Sequence, residues 1–241
     1  MPKFFIAPQD VTNGRVRLTG ENEKHIKTVL RAKCGEEITL CDGMGMDYFC
    51  KISSLDDGVW LDVCQSAPSE SEPITQITLY QGLPKSDKME WIIQKCVELG
   101  VVRIVPVATE RAIVKLDKKE GRKLERWQKI AEAAAKQSGR GIIPQMGESV
   151  LTFGQALAEA TALDGAIIPY EKETENDLRS FVQGFCGKSV GVFIGPEGGF
   201  SETEIQQAMA AGVQPVTLGK RILRTETAGM VSIALLLYEL G

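Results

Sequence analysis

The sequence predicts an α/β fold, a mostly parallel sheet covered on both faces, preceded by a small β-rich piece. Three observations carry this. From residue 74 onward, short apolar runs alternate with amphipathic segments of helical period. Residues 1–66 instead show apolar runs near 3–6, 37–41, 48–52 and 59–64, separated by Gly, Asn and Asp, which is strand-and-turn chemistry. Near the C-terminus, two glycine-containing stretches each follow a short strand and open a helix. Such junctions lie at the carboxyl ends of strands, where open α/β sheets bind small molecules.

In the N-terminal piece one helix is expected over about 21–31, with Ile26, Val29 and Leu30 inward and Gly35 as a stop. Residues 67–73, Ala-Pro-Ser-Glu-Ser-Glu-Pro, have linker composition. The expected division is a domain over 1–68, a linker over 69–73 and a second domain over 74–241. In the second domain 77–80 is a strand. Ser86 would cap a helix with Met89, Ile92, Ile93, Cys96 and Val97 inward, ended by Gly100. A strand at 101–107 and a helix over about 121–138 follow, the helix with Leu124, Trp127, Ile130, Ala131 and Ala134 inward. Shorter strands are expected at 166–168, 190–194 and 216–218. Ser201 and Glu204 have the spacing of a capping box. The last helix, about 225–240, is apolar or small all round from Ala228 to Tyr238 except for Ser232, which predicts burial on every side. A core helix and a subunit interface both satisfy that pattern.

Composition bounds the function. No apolar run approaches the roughly 18 residues of a membrane helix, and the N-terminal apolar stretch is too short for a signal peptide, so a cytoplasmic location is expected. Six cysteines without a Cys-x-x-Cys pair, and one histidine, His25, argue for buried free thiols and no metal. The net charge is −4, yet residues 115–141 hold nine Lys/Arg against four Asp/Glu. Arg122, Arg126, Lys129 and Lys136 share one helical face, with Arg140 just beyond, which reads as a solvated face or an RNA-backbone surface.

The glycine-containing stretches are Ile194-Gly195-Pro196-Glu197-Gly198-Gly199-Phe200-Ser201 and Leu218-Gly219-Lys220-Arg221-Ile222-Leu223-Arg224-Thr225-Glu226-Thr227-Ala228. Neither is a dinucleotide fingerprint or a P-loop. Together they resemble the knotted SPOUT RNA methyltransferases, and among them the bacterial family that methylates uridine N3 in 16S ribosomal RNA of the small ribosomal subunit. Lys85-Ser86-Asp87-Lys88-Met89-Glu90-Trp91, Glu98-Leu99-Gly100-Val101 and Gln137-Ser138-Gly139-Arg140 match that family too, and His25 to Arg31 with Gly35 and Asp42-Gly43 resembles its PUA-like RNA-binding β-barrel. The resemblance covers nearly the whole chain, with one departure: Lys3 stands where an arginine is expected, keeping charge but losing bidentate geometry.

The resemblance implies a trefoil-knotted SPOUT domain, a homodimer and S-adenosylmethionine as cofactor. The cofactor residues it implies are Ile168, Tyr170 and Glu171; Ile194, Gly195 and Gly199; and Leu218, Gly219, Ile222, Leu223, Thr227 and Ala228. With such a PUA-like module Arg15, Arg17, Arg31 and Lys33 would contact RNA phosphates or stand as solvated surface charges, and Arg126 and Arg140 are the RNA candidates of the basic helical face. Uracil N3 must lose a proton before it attacks a methyl group, and Arg224 is the choice to stabilise the charge that spreads onto the flanking carbonyls. Pairing of Arg224 with Glu226 or Glu197 is the structural alternative. A general base would be Glu197, Glu226 or solvent. A SPOUT enzyme with another RNA target and a non-catalytic RNA-binding protein are the competing functions.

Overall fold

The computed structural model describes residues 3–112 and 120–241. The basic stretch 115–141 therefore falls partly outside the described residues. The chain divides into two compact units, one of residues 1–72 with 135–143, the other of residues 73–134 with 144–241.

The first unit is built on five strands: β1 (Lys3–Phe5), β2 (Arg15–Leu18), β3 (Glu37–Cys41), β4 (Met46–Ser54) and β5 (Val59–Pro68). They are ordered β1-β3-β4-β5-β2, with β1 parallel to β3 and the other pairs antiparallel. Register shifts at Phe49/Cys50 and Ile52/Ser54 bend the long β4–β5 pair, as bulges do. Val16, Leu18, Ile38, Leu40, Ile52 and Leu61 point into one core. Strand β2 is absent from the sequence expectation, although Arg15-Val16-Arg17-Leu18 alternates exposed and buried with a period of two.

The expected helix over 21–31 is α1 (Gly20–Lys24) followed by a π-helical turn (His25–Leu30). Ile26 is buried, but Val29 and Leu30 are exposed, against the expectation. The wider π turn rotates the residues after Ile26 off the face that a 3.6-residue period assigns them.

The second unit carries the parallel sheet. Its elements are β6 (Gln76–Gly82), α2 (Lys88–Leu99), β7 (Arg103–Ala108), α3 (Glu120–Ser138, whose last turn belongs to the first unit), β8 (Gln145–Met146), β9 (Leu151–Thr152), α4 (Phe153–Ala160), β10 (Gly165–Pro169), α5 (Leu178–Gly184), β11 (Ser189–Ile194), α6 (Glu202–Ala210), β12 (Gln214–Val216) and α7 (Thr225–Leu240). The strand order is β12-β10-β11-β6-β7-β8, with β9 beside β7, and every pair is parallel. All their carboxyl ends therefore lie along one edge.

Alternation along β6 shows how the faces are covered. Tyr80 stacks on Phe193 at 4.5 Å and joins a core with Phe153 and Leu157 of α4 and Ile205 of α6. Its neighbour Gln81 points the other way and bonds Thr225 of α7. The inward residues expected on α2 are all buried, each contributing roughly 1.5–3 kcal/mol. Gly100 ends α2 at φ +115°.

Within this chain α7 is covered on one side only: Gly229, Ser232, Ile233 and Leu236 face inward, where α2, β6 and β11 pack, while Leu235 and Tyr238 are exposed. Two other expectations are corrected. Ser86 does not cap α2: it takes a left-handed turn (φ 56°), and Asp87 occupies the cap position without a side-chain bond. The thiols divide evenly: Cys34, Cys64 and Cys186 are exposed, whereas burial pushes Cys96 up to about 12 and Cys41 and Cys50 to about 11.

Candidate active site

Three adjacent strands, β12, β10 and β11, end in the loops expected to hold a ligand. After β10, the Tyr170 amide donates to the Val216 carbonyl at 3.0 Å, so the first loop leaves the sheet tied to the third. Ile168 is buried, Tyr170 half-buried and Glu171 exposed. After β11, the Gly199 amide closes a turn on the Pro196 carbonyl at 2.9 Å. That turn is tight enough that a Cβ on Gly195 would meet the Gly199 backbone at 3.0–3.1 Å. Gly199 sits at φ +63°, and a Cβ there would face the Glu171 carboxylate at 3.8 Å. Glycine at 195 thus lets the second loop close tightly on itself, and the Glu171 carboxylate of the first loop stands beside Gly199.

The second loop enters α6 through the expected capping box. Ser201 accepts from the Glu204 amide, and Glu204 Oε2 accepts from the Ser201 amide at 2.9 Å. Glu204 also uses its other oxygen, accepting from the Glu110 amide at 2.8 Å. This anchors the loop after β7, whose Arg111 donates to the Gly198 carbonyl at 3.0 Å. Sequence reading missed Arg111, since nothing local to residues 109–112 announces a contact 87 residues away.

After β12, the third loop leaves the strand earlier than expected: Thr217 and Leu218 lie beyond it, and the Thr217 amide donates to the Asn176 carbonyl at 2.8 Å. Leu218 and Leu223 are half-buried and Gly219 is exposed. Ile222 is 87% exposed, an apolar side chain that nothing in its unit covers. Thr227 and Ala228 are half-buried in the first turn of α7.

Arg224 is the N-cap residue of α7, with no side-chain cap bond, and is exposed. Among the described residues it makes no ion pair, because the two carboxylates that were its candidate partners are taken. Lys88 Nζ lies 3.0 Å from Glu197 Oε1 and 3.4 Å from Glu226 Oε2. Burial pushes the Glu197 carboxyl up, but its own amide, the Lys88 ammonium and the Lys85 amide outweigh this and hold it below the usual carboxylate range. A carboxylate so held is a weak proton acceptor.

The residues expected to meet RNA divide. Arg31 and Lys33 are exposed. Arg15 and Arg17 are exposed on β2, their guanidinium carbons 5.3 and 5.5 Å from the centre of the Trp60 ring, and they pair with Asp62 and Asp57. Arg126 is exposed and pairs with Glu90, and Arg122, Lys129 and Lys136 are exposed beside it on α3. Arg140 is the correction. It is 3% exposed, within the first unit, and its guanidinium holds Glu72 at 2.5 Å while that carboxylate also takes the Gly141 and Ile142 amides. A buried arginine saturated by a carboxylate offers no phosphate-binding face.

Two family models match the chain. Residues 70–237 match the family model of the RNA methyltransferase domain, and residues 18–63 match that of the RNA methyltransferase PUA domain. Ribosomal RNA small subunit methyltransferase E of Bacillus subtilis is 35% identical over 229 residues, covering 92% of this chain and 89% of the relative. A crystal structure of ribosomal RNA small subunit methyltransferase E from Neisseria gonorrhoeae bound to S-adenosyl methionine superposes with a TM-score of 0.85 at 35% identity, covering 99% of this chain and 97% of that one. A putative methyltransferase from Legionella pneumophila in complex with the same cofactor gives 0.81 at 31% identity, covering 98% and 97%.

Proposed function

Because this chain belongs to the RNA methyltransferase family, we propose that it transfers a methyl group from S-adenosylmethionine to N3 of a uridine in 16S ribosomal RNA of the small subunit. Its fold is α/β of the SPOUT type with a PUA-like unit. The observation that carries the reading is the set of three loops at the ends of adjacent parallel strands, with Arg224, which makes no ion pair among the described residues, beside the third.

The residues present fit the cofactor. Gly199 presents backbone in place of a side chain, and Glu171 places negative charge beside it, as a cationic ligand favours. Leu218, Ile222 and Leu223 supply apolar walls for an adenine ring, and Ile222 is exposed until something covers it. Ile168, Ile194, Tyr170, Thr227 and Ala228 complete the surround by position. The cofactor supplies a methyl group on a sulfonium, an electrophile that needs no metal.

What this chain adds is orientation and charge. Arg224 would face the flanking carbonyl of the uracil ring and stabilise the anion left when N3 loses its proton. With Glu197 and Glu226 both on Lys88, solvent is the preferred proton acceptor. The target base must leave its stack to enter. Exposed Arg15, Arg17, Arg31, Lys33 and Arg126 are proposed to carry RNA backbone, with the domain limits as expected at 1–68 and 74–241. A trefoil knot at the C-terminus, a homodimer through the exposed apolar side of α7 and a cytoplasmic location belong to the same proposal.

The test starts with calorimetric titration of S-adenosylmethionine into the protein and into Gly195→Val, which has no room for its side chain. Saturable binding lost in the variant is expected. Labelled cofactor is then incubated with small subunits and with free 16S RNA, and the nucleosides are separated by mass. N3-methyluridine supports the proposal, a methylated ribose or a tRNA product redirects it, and absence of cofactor binding overturns it.

A further inference from the structure

Lys88, the first residue of α2, joins three segments that are far apart in sequence. Its ammonium contacts Glu197 in the glycine-rich loop and Glu226 in the first turn of α7. Glu197 in turn accepts from the Lys85 amide at 3.1 and 3.3 Å through its two oxygens, so this loop is fastened to the turn that leads into α2. Glu226 Oε2 is shut off from solvent and, among the described residues, accepts no hydrogen bond, so the Lys88 ammonium at 3.4 Å is the charge that faces it.

The start of α7 depends on such contacts. Its N-cap residue is Arg224, whose side chain satisfies none of the helix's free amides. The first turn is located instead by Thr225, which donates to the Gly195 carbonyl at 2.6 Å and accepts from Gln81 at 3.0 Å, and by Glu226 on Lys88. Without the ammonium, two carboxylates would face each other across the gap between loop and helix. Like charges at that range repel, and relief comes from separation or from protonation of one of them.

We infer that Lys88 is a positioning residue for methyl transfer, holding Glu197 and Glu226 together so that the glycine-rich loop and Arg224 keep one fixed relation. The inference rests on the methyltransferase reading, and it gives both carboxylates a structural duty in place of proton abstraction. Hydrogen bonding to Glu197 raises the Lys88 ammonium above its ordinary value, so the link persists across the working pH range.

The experiment compares Lys88→Met, Lys88→Arg and Arg224→Ala, and the double variant Lys88→Met/Arg224→Ala, after thermal melting has verified that each is folded. Lys88→Met should lower kcat about 10–100-fold with KM for RNA changed less than about threefold, and Lys88→Arg should recover most of the loss. In the Arg224→Ala background, Lys88→Met should cost less than about threefold more, because both act through one group. Multiplying effects, or equal loss in the Met and Arg variants, would overturn the inference. A second readout needs no substrate. Amide hydrogen exchange at 195–199 and 225–229 should speed up together in Lys88→Met and stay near wild type in Lys88→Arg. Unchanged exchange in both segments overturns the inference whatever the activity. A wild-type protein that methylates no ribosomal RNA sinks the proposed function instead, while exchange still decides the role of Lys88.

Discussion

Two arginines border the longest helices of this chain, and they end in opposite environments. Arg140 follows α3 and is buried, gripped by Glu72 from 68 residues earlier. Arg224 precedes α7 and is exposed, free of ion pairs among the described residues because Lys88 has claimed both nearby carboxylates. In the sequence both are loop arginines beside a helix, in motifs that suggest RNA. What separates them is the competition for acidic partners. Where a carboxylate arrives without a cation of its own, as Glu72 does, the arginine becomes structural. Where another cation holds the nearby carboxylates, as Lys88 does, the arginine is left exposed.

The largest test of this contrast is Arg140→Ala. It should destabilise the protein by about 3–5 kcal/mol, because the largely buried Glu72 carboxylate loses its cation and is left with the Gly141 and Ile142 amides. A loss below about 1 kcal/mol in denaturant unfolding would erase the difference between the two arginines. Arg224→Ala should do the reverse: stability within about 0.5 kcal/mol of wild type, cofactor affinity little changed, and the single-turnover methylation rate down by about 10²-fold or more. Thr225→Val sharpens the picture on the α7 side. It strands the Gln81 amide and the Gly195 carbonyl, at a cost of about 1–3 kcal/mol, readable as a lower melting temperature. The smallest effect is a gain. Lys3 reaches Asp47 Oδ2 at 2.8 Å and Ser69 at 3.0 Å, while Asp47 Oδ1 is buried with no hydrogen-bond partner among the described residues. Lys3→Arg has the fork to meet both oxygens and should raise stability by about 1 kcal/mol. A melting temperature that falls would mean the pocket has no room for the guanidinium.

Much of the second unit was readable because its periods are clean. The inward residues of α2 and the Ser201–Glu204 capping box follow from spacing, and the structure reproduces both. Errors arose where a local rule met an irregular backbone. Val29 and Leu30 left the helix face through a π turn, and Ser86 turned left-handed one residue before the cap position. Strand β2 escaped notice because two arginines occupy its outer face and leave only Val16 and Leu18 as apolar markers. The exposed side of α7 is a different matter. Apolar residues all round show that burial is wanted, but not which side the chain itself provides.

The sequence by itself determined the alternating strands and helices of the second unit, the glycine-containing loops at their ends and the family to which the chain belongs, because these depend on near neighbours and on motif spacing. Only the tertiary structure decided how the charges are shared out: Arg140 with Glu72, Glu197 and Glu226 with Lys88, Arg111 on the Gly198 carbonyl, and Arg224 left over. The physical reason is that a salt bridge is settled by how close two charges lie in three dimensions and how far from water they meet, and linear spacing carries neither.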